Sequence, residues 1–426
     1  MKPHPNTQRV ATAISLSLLL GACATNPGPT TDLRIDRDAA TASARSRSIR
    51  AAADAAPEDN RPALEEINTE EVLERARRAY GSAEFLGEAT IVSGTRFEES
   101  VVGGLSGITW AGGDQYFAIS DDRGDNGPGR FYTLRIDLAD GRLDSGDVEL
   151  IRWTSVLGDN GEPLEPQTFD MEGIASALDG SVYISSEGEA RAQIPPFVKH
   201  LLEDGSHLGW IELPDKFRPS ADGARGVRPN LALESLAITP DGRYLFTATE
   251  NALQQDGPQA SFRHASPSRI LKIDLTTGNT VGEYVYMVDP VRVGESLADI
   301  FHTTGLVDLI AFNSQHLLAL ERTFVAGAGF VERIHWVCLE ESSNVLGLEN
   351  LQTTSLSSLP TGRKKLFLDL SQLGIRLDNL EGMTLGAALP DGRRALILIS
   401  DNNFNPSAQI TQILAFAVPA DLAPPY

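Results

Sequence analysis

The chain has 426 residues, 41% hydrophobic and 22% charged, enough apolar material for one large core or several ordinary ones. Its formal charge is −22, and the charges of residues 1–80 cancel, so residues 81–426 carry it. An acidic body of this kind repels nucleic acid and anionic membrane surfaces, which excludes both as expected partners.

In chain order, Lys2 and Arg9 flank a polar start, and a short apolar run from Val10 to Leu19 leads into Leu20-Gly21-Ala22-Cys23. The run is too short to cross a bilayer as a mature helix, so residues 1–22 read as a secretory signal. Leu20-Gly21-Ala22-Cys23 resembles a bacterial lipobox, which implies lipid on Cys23. With Ala24 next, the expectation is an outer-membrane lipoprotein that touches the membrane only through that anchor. Residues 23–63 are rich in Ala, Thr, Ser, Arg, Asp and Pro, too poor in apolar groups to offset the entropy of ordering, and read as a tether. Residues 64–84 predict a short helical lead-in, with Asn68 as N-cap and Glu71 completing a capping box.

From residue 85 to 426 the pattern changes to short apolar runs separated by Asp-Gly turns, as at Asp140-Gly141, Asp179-Gly180, Asp204-Gly205, Asp241-Gly242 and Asp391-Gly392. Each turn supplies a glycine for positive φ and reads as a hairpin, so the body is all-β. A segment also repeats five times, 62 to 74 residues apart: Leu105-Ser106-Gly107-Ile108, Met171-Glu172-Gly173-Ile174, Leu233-Glu234-Ser235-Leu236, Val307-Asp308-Leu309-Ile310 and Leu380-Glu381-Gly382-Met383. Each is followed by a strand ending in an acid: Asp121, Glu187, Glu250, Glu321 and Asp401. Two further strand-like runs follow each pair, except in the last repeat, which has one. Ala83 to Ser93 supplies the missing strand. The prediction is a β-propeller of five four-stranded blades, with room for a sixth, closed by strands from both termini.

In a propeller the innermost strands line a common mouth, so the repeated acids converge. One reading gives each a structural task, capping a turn within its own blade. As a set, however, converging carboxylates repel one another and need a cation or strongly raised pKa values. Carboxylates with asparagine and loop carbonyls suit Ca2+, and scattered histidines without a thiolate cluster do not suit zinc. Asp121, Glu187, Glu250, Glu321, Asp401 and Asn402 are the candidate metal ligands, and Glu172, Glu234 and Glu381 the candidate catalytic carboxylates. Arg123, Arg228, Arg322 and Asn230 lie in mouth loops and are candidates for gripping a small anionic substrate. Cys338, the sole cysteine besides Cys23, reads as a buried apolar filler, since a catalytic thiol needs a histidine near it in space. No Gly-x-Ser-x-Gly elbow, phosphate-binding loop or His-Glu-x-x-His motif occurs.

The stretches Ser120-Asp121-Asp122-Arg123-Gly124, Met171-Glu172-Gly173-Ile174, Arg228-Pro229-Asn230, Thr249-Glu250-Asn251-Ala252-Leu253, Leu320-Glu321-Arg322, Asn379-Leu380-Glu381-Gly382-Met383 and Ser400-Asp401-Asn402-Asn403-Phe404 together resemble the phytase-like family, described by an esterase-like activity of phytase. The resemblance covers nearly all of residues 100–415. It implies a hydrolase of phosphate or related esters, which with the N-terminal signal is expected to be exported, and a monomer is expected. The Arg-His-Gly signature of histidine acid phosphatases is absent, as is the Asp-Asp-Pro-Ala-like opening of calcium-dependent propeller phytases. A calcium-propeller lactonase and a non-catalytic ligand-binding or envelope-binding lipoprotein stand as alternatives.

Overall fold

The computed structural model describes residues 83–292, 300–353 and 358–425. The expected signal, Cys23, the tether and nearly all of the helical lead-in lie outside these residues. Among them, no helix is long and apolar enough to cross a membrane.

Ala83 leads directly into β1 (Glu84–Ile91), and a small hairpin follows, β2 (Arg96–Phe97) with β3 (Ser100–Val101). Blade I is β4 (Leu105–Gly112), β5 (Gln115–Ser120), β6 (Arg130–Ile136) and β7 (Val148–Ser155). Blade II is β8 (Met171–Ser176), β9 (Val182–Ser186), β10 (Phe197–Leu201) and β11 (His207–Ile211). Blade III is β12 (Ala237–Ile238), β13 (Tyr244–Ala248), β14 (Ser266–Asp274) and β15 (Asn279–Val288). Blade IV is β16 (His302–Ala311), β17 (His316–Val325), β18 (Gly329–Cys338) and β19 (Arg363–Asp369). Blade V takes β20 (Leu380–Ala388), β21 (Arg394–Ser400) and β22 (Thr411–Val418), and β1 completes it by pairing antiparallel with β22, from Glu84 opposite Ala417 to Ile91 opposite Thr411. The expected ring of five blades and its closure by both ends of the body are therefore present. The ring closes where the inner strands β20 and β4 touch.

Central blade strands are apolar on both faces because each face meets a different neighbour. In Ala395-Leu396-Ile397-Leu398-Ile399, the leucines join a cluster with Leu318, Leu320 and Trp336 of blade IV, while the alanine and isoleucines join one with Ile108, Tyr116 and Ala118 of blade I. Comparable clusters fill the other three junctions. The period-two alternation of a strand thus builds five inter-blade cores instead of one central core. The hairpins follow the expected chemistry: Gly180 and Gly392 adopt φ of 84° and 87°, the left-handed region that the Asp-Gly turns require.

The glycines of the repeat serve the axis. A side chain at Gly382 would lie 2.9 Å from the Gly107 Cα, and one at Gly173 would lie 2.9 Å from the Glu234 carbonyl oxygen. Five inner strands crowd around the axis, and only a residue without a Cβ lets neighbouring backbones approach so closely.

Candidate functional site

The site is built by a bulge repeated in the first strand of the blades. The ladder pairs Leu105 with Ser120 and then Gly107 with Ile119, leaving Ser106 as the extra residue. Likewise Leu380 pairs with Ser400 and Gly382 with Ile399, leaving Glu381. In blade II the shift falls between Met171 and Ile174, around Glu172. A bulge bends its strand and re-aims a side chain, here toward the axis. Beside it, in blades I, II and V the residue just past the second strand is tied to the residue just before the first: Asp121, Glu187 and Asp401 donate their backbone N–H to the carbonyls of Gly104, Asp170 and Asn379 at 2.8 to 2.9 Å. In blade III Glu250 makes the same kind of bond to the Ala232 carbonyl at 2.7 Å, across the Leu233–Thr249 bridge.

Blade IV obeys the same rule with a different register from the one the sequence pattern suggests. Leu306 pairs with Glu321 and Asp308 with Leu320, so the bulged residue is Val307, and Gly305 lies opposite Arg322. The counterpart of the axial acids in blade IV is therefore Arg322, and Glu321 corresponds to Ser120 and Ser400. A one-residue slip turns a side chain to the other face of the strand. Glu321 accordingly points away from the axial ring, accepting from the Tyr286 hydroxyl at 2.6 Å and pairing with Lys364 at 2.5 Å. Asp308 ties blades together, accepting from the N–H of Leu309 at 2.8 Å and of Met383 at 2.6 Å.

Around the axis stand Asp121, Glu187, Glu250, Arg322 and Asp401, with Ser106, Glu172 and Glu381 on the bulges, Glu234 next to the isolated Leu233–Thr249 bridge ahead of β12, and Asp170 and Asn379 preceding the first strands. Arg322 donates to Glu381 and Asn379, each at 2.7 Å, and to Glu250 at 2.9 Å. Arg123, from the loop after β5, reaches across to blade II, where it pairs with Asp170 and with Glu189 at 3.0 Å and donates to Asn230 at 3.0 Å. Asn230 itself holds a left-handed φ of 57°, a conformation asparagine tolerates. Both guanidiniums are thus already paired with carboxylates.

Two arginines do not balance eight carboxyls, and the protonation energetics show it. Burial is the leading cause throughout. It pushes Glu381 up to about 8 against the opposing pull of Arg322, and Glu187 up to about 8 with Asp170 adding to the rise. Asp170 rises to about 6 by burial against the pull of Arg123, and Asp401 rises to about 6 by burial against the Asn403 N–H and Arg322. Asp121, Glu172 and Glu234 are held well above the carboxylate range by burial and then by neighbouring acids. Glu187 and Glu234 share a hydrogen bond, which requires one of them to keep its proton.

A divalent cation fits this arrangement. Asp170, Glu172 and Glu187 each offer an oxygen, all within 4.8 Å of one another, a span that one ion can bridge at the roughly 2.4 Å distances usual for calcium. The donors are hard carboxyl oxygens. In the neighbouring blade I, Asp121 Oδ1 is buried without a hydrogen-bond partner, an orphan of the kind that a cation or a water satisfies.

The structure therefore gathers Asp121, Glu187, Glu250, Asp401, Glu172, Glu234, Glu381, Arg123, Arg322 and Asn230 at one mouth. It places three other candidates elsewhere, each for a local reason. Glu321 lies outside through the register of blade IV. Arg228 binds the Ala252 carbonyl at 2.9 Å and the Gly257 carbonyl at 2.5 Å, so it pins its own loop. Asn402 turns its Oδ1 to the N–H of Gly104 at 3.1 Å and of Phe404 at 3.0 Å, stitching blade V to blade I. Asp170 is a site residue that the repeat alignment passed over. Its signal was the Asp-Met-Glu-Gly spacing of 170–173, which parallels Asn379-Leu380-Glu381-Gly382.

The family model described as "Phytase-like: Esterase-like activity of phytase" matches residues 100–404. The chain belongs to the phytase-like family. The matched segment runs from just before blade I to the loop between β21 and β22, so it includes every axial residue of this phytase-like body. A secreted protein of Arthroderma benhamiae is 24% identical over 197 residues, covering 39% of this chain and 37% of the relative, so the match spans little more than a third of that relative's length. Among solved structures, the Dos1 propeller matches at a TM-score of 0.29 and 8% identity, covering 73% of this chain and 66% of that one. The periplasmic gluconolactonase of Pseudomonas aeruginosa matches at 0.31 and 14%, covering 75% and 87%. Regucalcin of Agrobacterium tumefaciens, a calcium-binding protein, matches at 0.37 and 10%, covering 79% and 97%.

Proposed function

We propose that the axial mouth of this phytase-like chain is a hydrolytic site that cleaves a phosphate ester or related ester of a small molecule with the help of bound Ca2+. The observation that carries this reading is the convergence of eight buried carboxyls with both neighbouring guanidiniums already engaged. Such a cluster is stable in two ways, by keeping protons or by taking a cation. Asp170, Glu172 and Glu187 are the residues that would hold the cation, with Glu234 beside them. Calcium bound there supplies a fixed positive charge that polarises an ester oxygen and acidifies a water.

The chain's own residues divide the remaining work. Arg322 fixes the orientation of Glu381, whose raised pKa of about 8 keeps it largely protonated at neutral pH. It is suited to give that proton to a leaving oxygen and take one back from water. Glu250, on the other side of Arg322, balances the guanidinium so that it stays aimed at Glu381. Enclosure by the inner strands limits bulk water and strengthens these interactions.

One observation favours a second reading. Neither Arg123 nor Arg322 is uncommitted, so a neutral cyclic ester, as in a lactonase, meets the site without displacing a salt bridge, whereas a phosphate must bind through the cation. We also read the chain as exported. The basic, apolar and small-residue order of residues 1–23 supports this, as does the secreted relative; the lipid anchor on Cys23 and an outer-membrane location are part of the same proposal.

Metal analysis of the purified chain, followed by a phosphomonoester, phosphodiester and lactone screen with and without EGTA, tests the reading. Bound calcium with EGTA-sensitive turnover supports it, and the class hydrolysed chooses between the two ester readings. Bound calcium without turnover on any class identifies a ligand-binding protein. A metal-free chain whose turnover ignores EGTA overturns the calcium-dependent mechanism.

A further inference from the structure

A second cluster of metal-ligating side chains lies at the other end of blade IV. In the β17–β18 ladder His316 is the direct cross-strand partner of Cys338, the last residue of β18, and Glu340 follows two residues later in the turn that leaves the strand. One ligand atom from each, imidazole nitrogen, thiol sulfur and carboxylate oxygen, lies within 4.8 Å of the other two. Arg322 is six residues along β17, so this cluster stands about 20 Å from the axial mouth at the usual strand rise.

The imidazole is held as a metal-binding histidine is held. Asn313 Oδ1 accepts from the backbone N–H groups of Gln315 at 2.9 Å and His316 at 3.0 Å, which identifies that atom as the oxygen. It also lies 3.1 Å from His316 Nδ1, so Nδ1 is the donor and Nε2 carries the lone pair. Nε2 lies 3.8 Å from a Glu340 oxygen, on the side where the cluster is. An outer partner that fixes the tautomer in this way is the usual accompaniment of a ligating imidazole. Cys338 is 1% exposed and Glu340 about half exposed, so the cluster grades from a buried sulfur to an open carboxylate. This is also the nearby histidine that a chemically active thiol requires. The same donor types distinguish it from the all-oxygen axial site: sulfur, imidazole and carboxylate together suit zinc-class ions at roughly 2.0 to 2.3 Å and do not suit calcium.

We propose that His316, Cys338 and Glu340 form a separate site for a zinc-class divalent ion, with Asn313 orienting the imidazole. On binding, a sulfur–metal bond forms and the Cys338 thiol proton leaves to solvent, with no change of oxidation state. Arg363 Nη2, which donates to that sulfur at 3.4 Å, stays as a donor to the thiolate's remaining lone pair or gives way to the metal.

The test uses the full chain carrying Cys23→Ser, so that Cys338 is its sole thiol, with Co(II) as the probe. The expected result is a near-ultraviolet thiolate-to-cobalt charge-transfer band that saturates at one equivalent, is displaced by zinc and persists in excess calcium. Cys338→Ser abolishes the band, and His316→Ala or Glu340→Gln weakens cobalt affinity by about tenfold or more. Glu340→Gln, at a half-exposed position, serves where Cys338→Ser fails to fold. Zinc also slows alkylation of Cys338 in the parent chain. Absence of the band, or a band of the same affinity in both His316→Ala and Glu340→Gln, overturns the proposal. Axial carboxylates that take up cobalt give no such band, so failure of the axial reading and failure of this one remain distinguishable.

Discussion

Raising the pH of the metal-free chain should destabilise it, because the folded state holds protons that the unfolded chain releases. Glu187 and Glu381 have an ordinary value of 4.5 and are each pushed up to about 8 by burial. A raised folded value means that the group's favourable protonated form is fully present below about 4.5 and is lost as pH climbs toward 8. At 1.36 kcal/mol per pKa unit, one such group costs about 5 kcal/mol of folding free energy across that window. Asp170 and Asp401, raised from 3.8 to about 6, begin the decline at the acidic end. Against a total stability of about 5–15 kcal/mol the loss is large, and at about 2 °C per kcal/mol each such group lowers Tm by roughly 10 °C. Thermal unfolding followed by circular dichroism in EGTA at pH 4.5 and pH 8.5 measures it, and repeating the series in calcium should flatten the curve, since a cation stabilises the ionised acids. A Tm that is level across this range in EGTA, or that falls equally with calcium present, refutes the reasoning.

Further outcomes follow from the same geometry. Glu381→Gln should abolish turnover, yet stabilise the metal-free chain at pH 8.5, where a buried charge has been removed; steady-state kinetics and a melting curve check the two halves. Arg322→Gln leaves Glu250 and Glu381 without their cation and should cost about 3–5 kcal/mol at pH 8, less at pH 5, by urea unfolding. Gly382→Val forces a side chain against the blade I backbone at the axis and should cost about 1–3 kcal/mol or more in the same assay. Arg228→Ala removes a donor to two backbone carbonyls and should lower Tm while leaving KM unchanged, which separates a loop-pinning role from substrate binding.

Most of the fold was legible because a propeller states its architecture five times over. Asp-Gly turns, paired apolar runs and a spare strand at Ala83 to Ser93 are local signals, and each survives without knowledge of its neighbours. The site was legible only as far as those repeats stayed in phase. In blade IV, Val307-Asp308-Leu309 imitates the other repeats by composition, but the ladder bulges at Val307 and moves the pairing by one residue. Alternation then carries Glu321 to Tyr286 and Lys364 and brings Arg322 to the axis, an exchange of charge sign that composition does not reveal. Arg228, read as gripping substrate, and Asn402, read as a metal ligand, are turned to other partners for a different reason. Their acceptors and donors are backbone groups of loops, and loop carbonyl and amide directions leave no residue-type signature. Asp170 could have been found, since its two-residue spacing to Glu172 matches that of Asn379 to Glu381.

The central claim is that the axial carboxyls take a divalent cation in place of protons, and calcium titration calorimetry of the EGTA-treated chain at pH 7, in two buffers of different ionisation enthalpy, measures both halves of it. The account predicts saturable binding with net proton release, and loss of both in Glu172→Gln while the fold is retained. Heats that show no calcium binding, or binding that releases no protons and is untouched by Glu172→Gln, would contradict it.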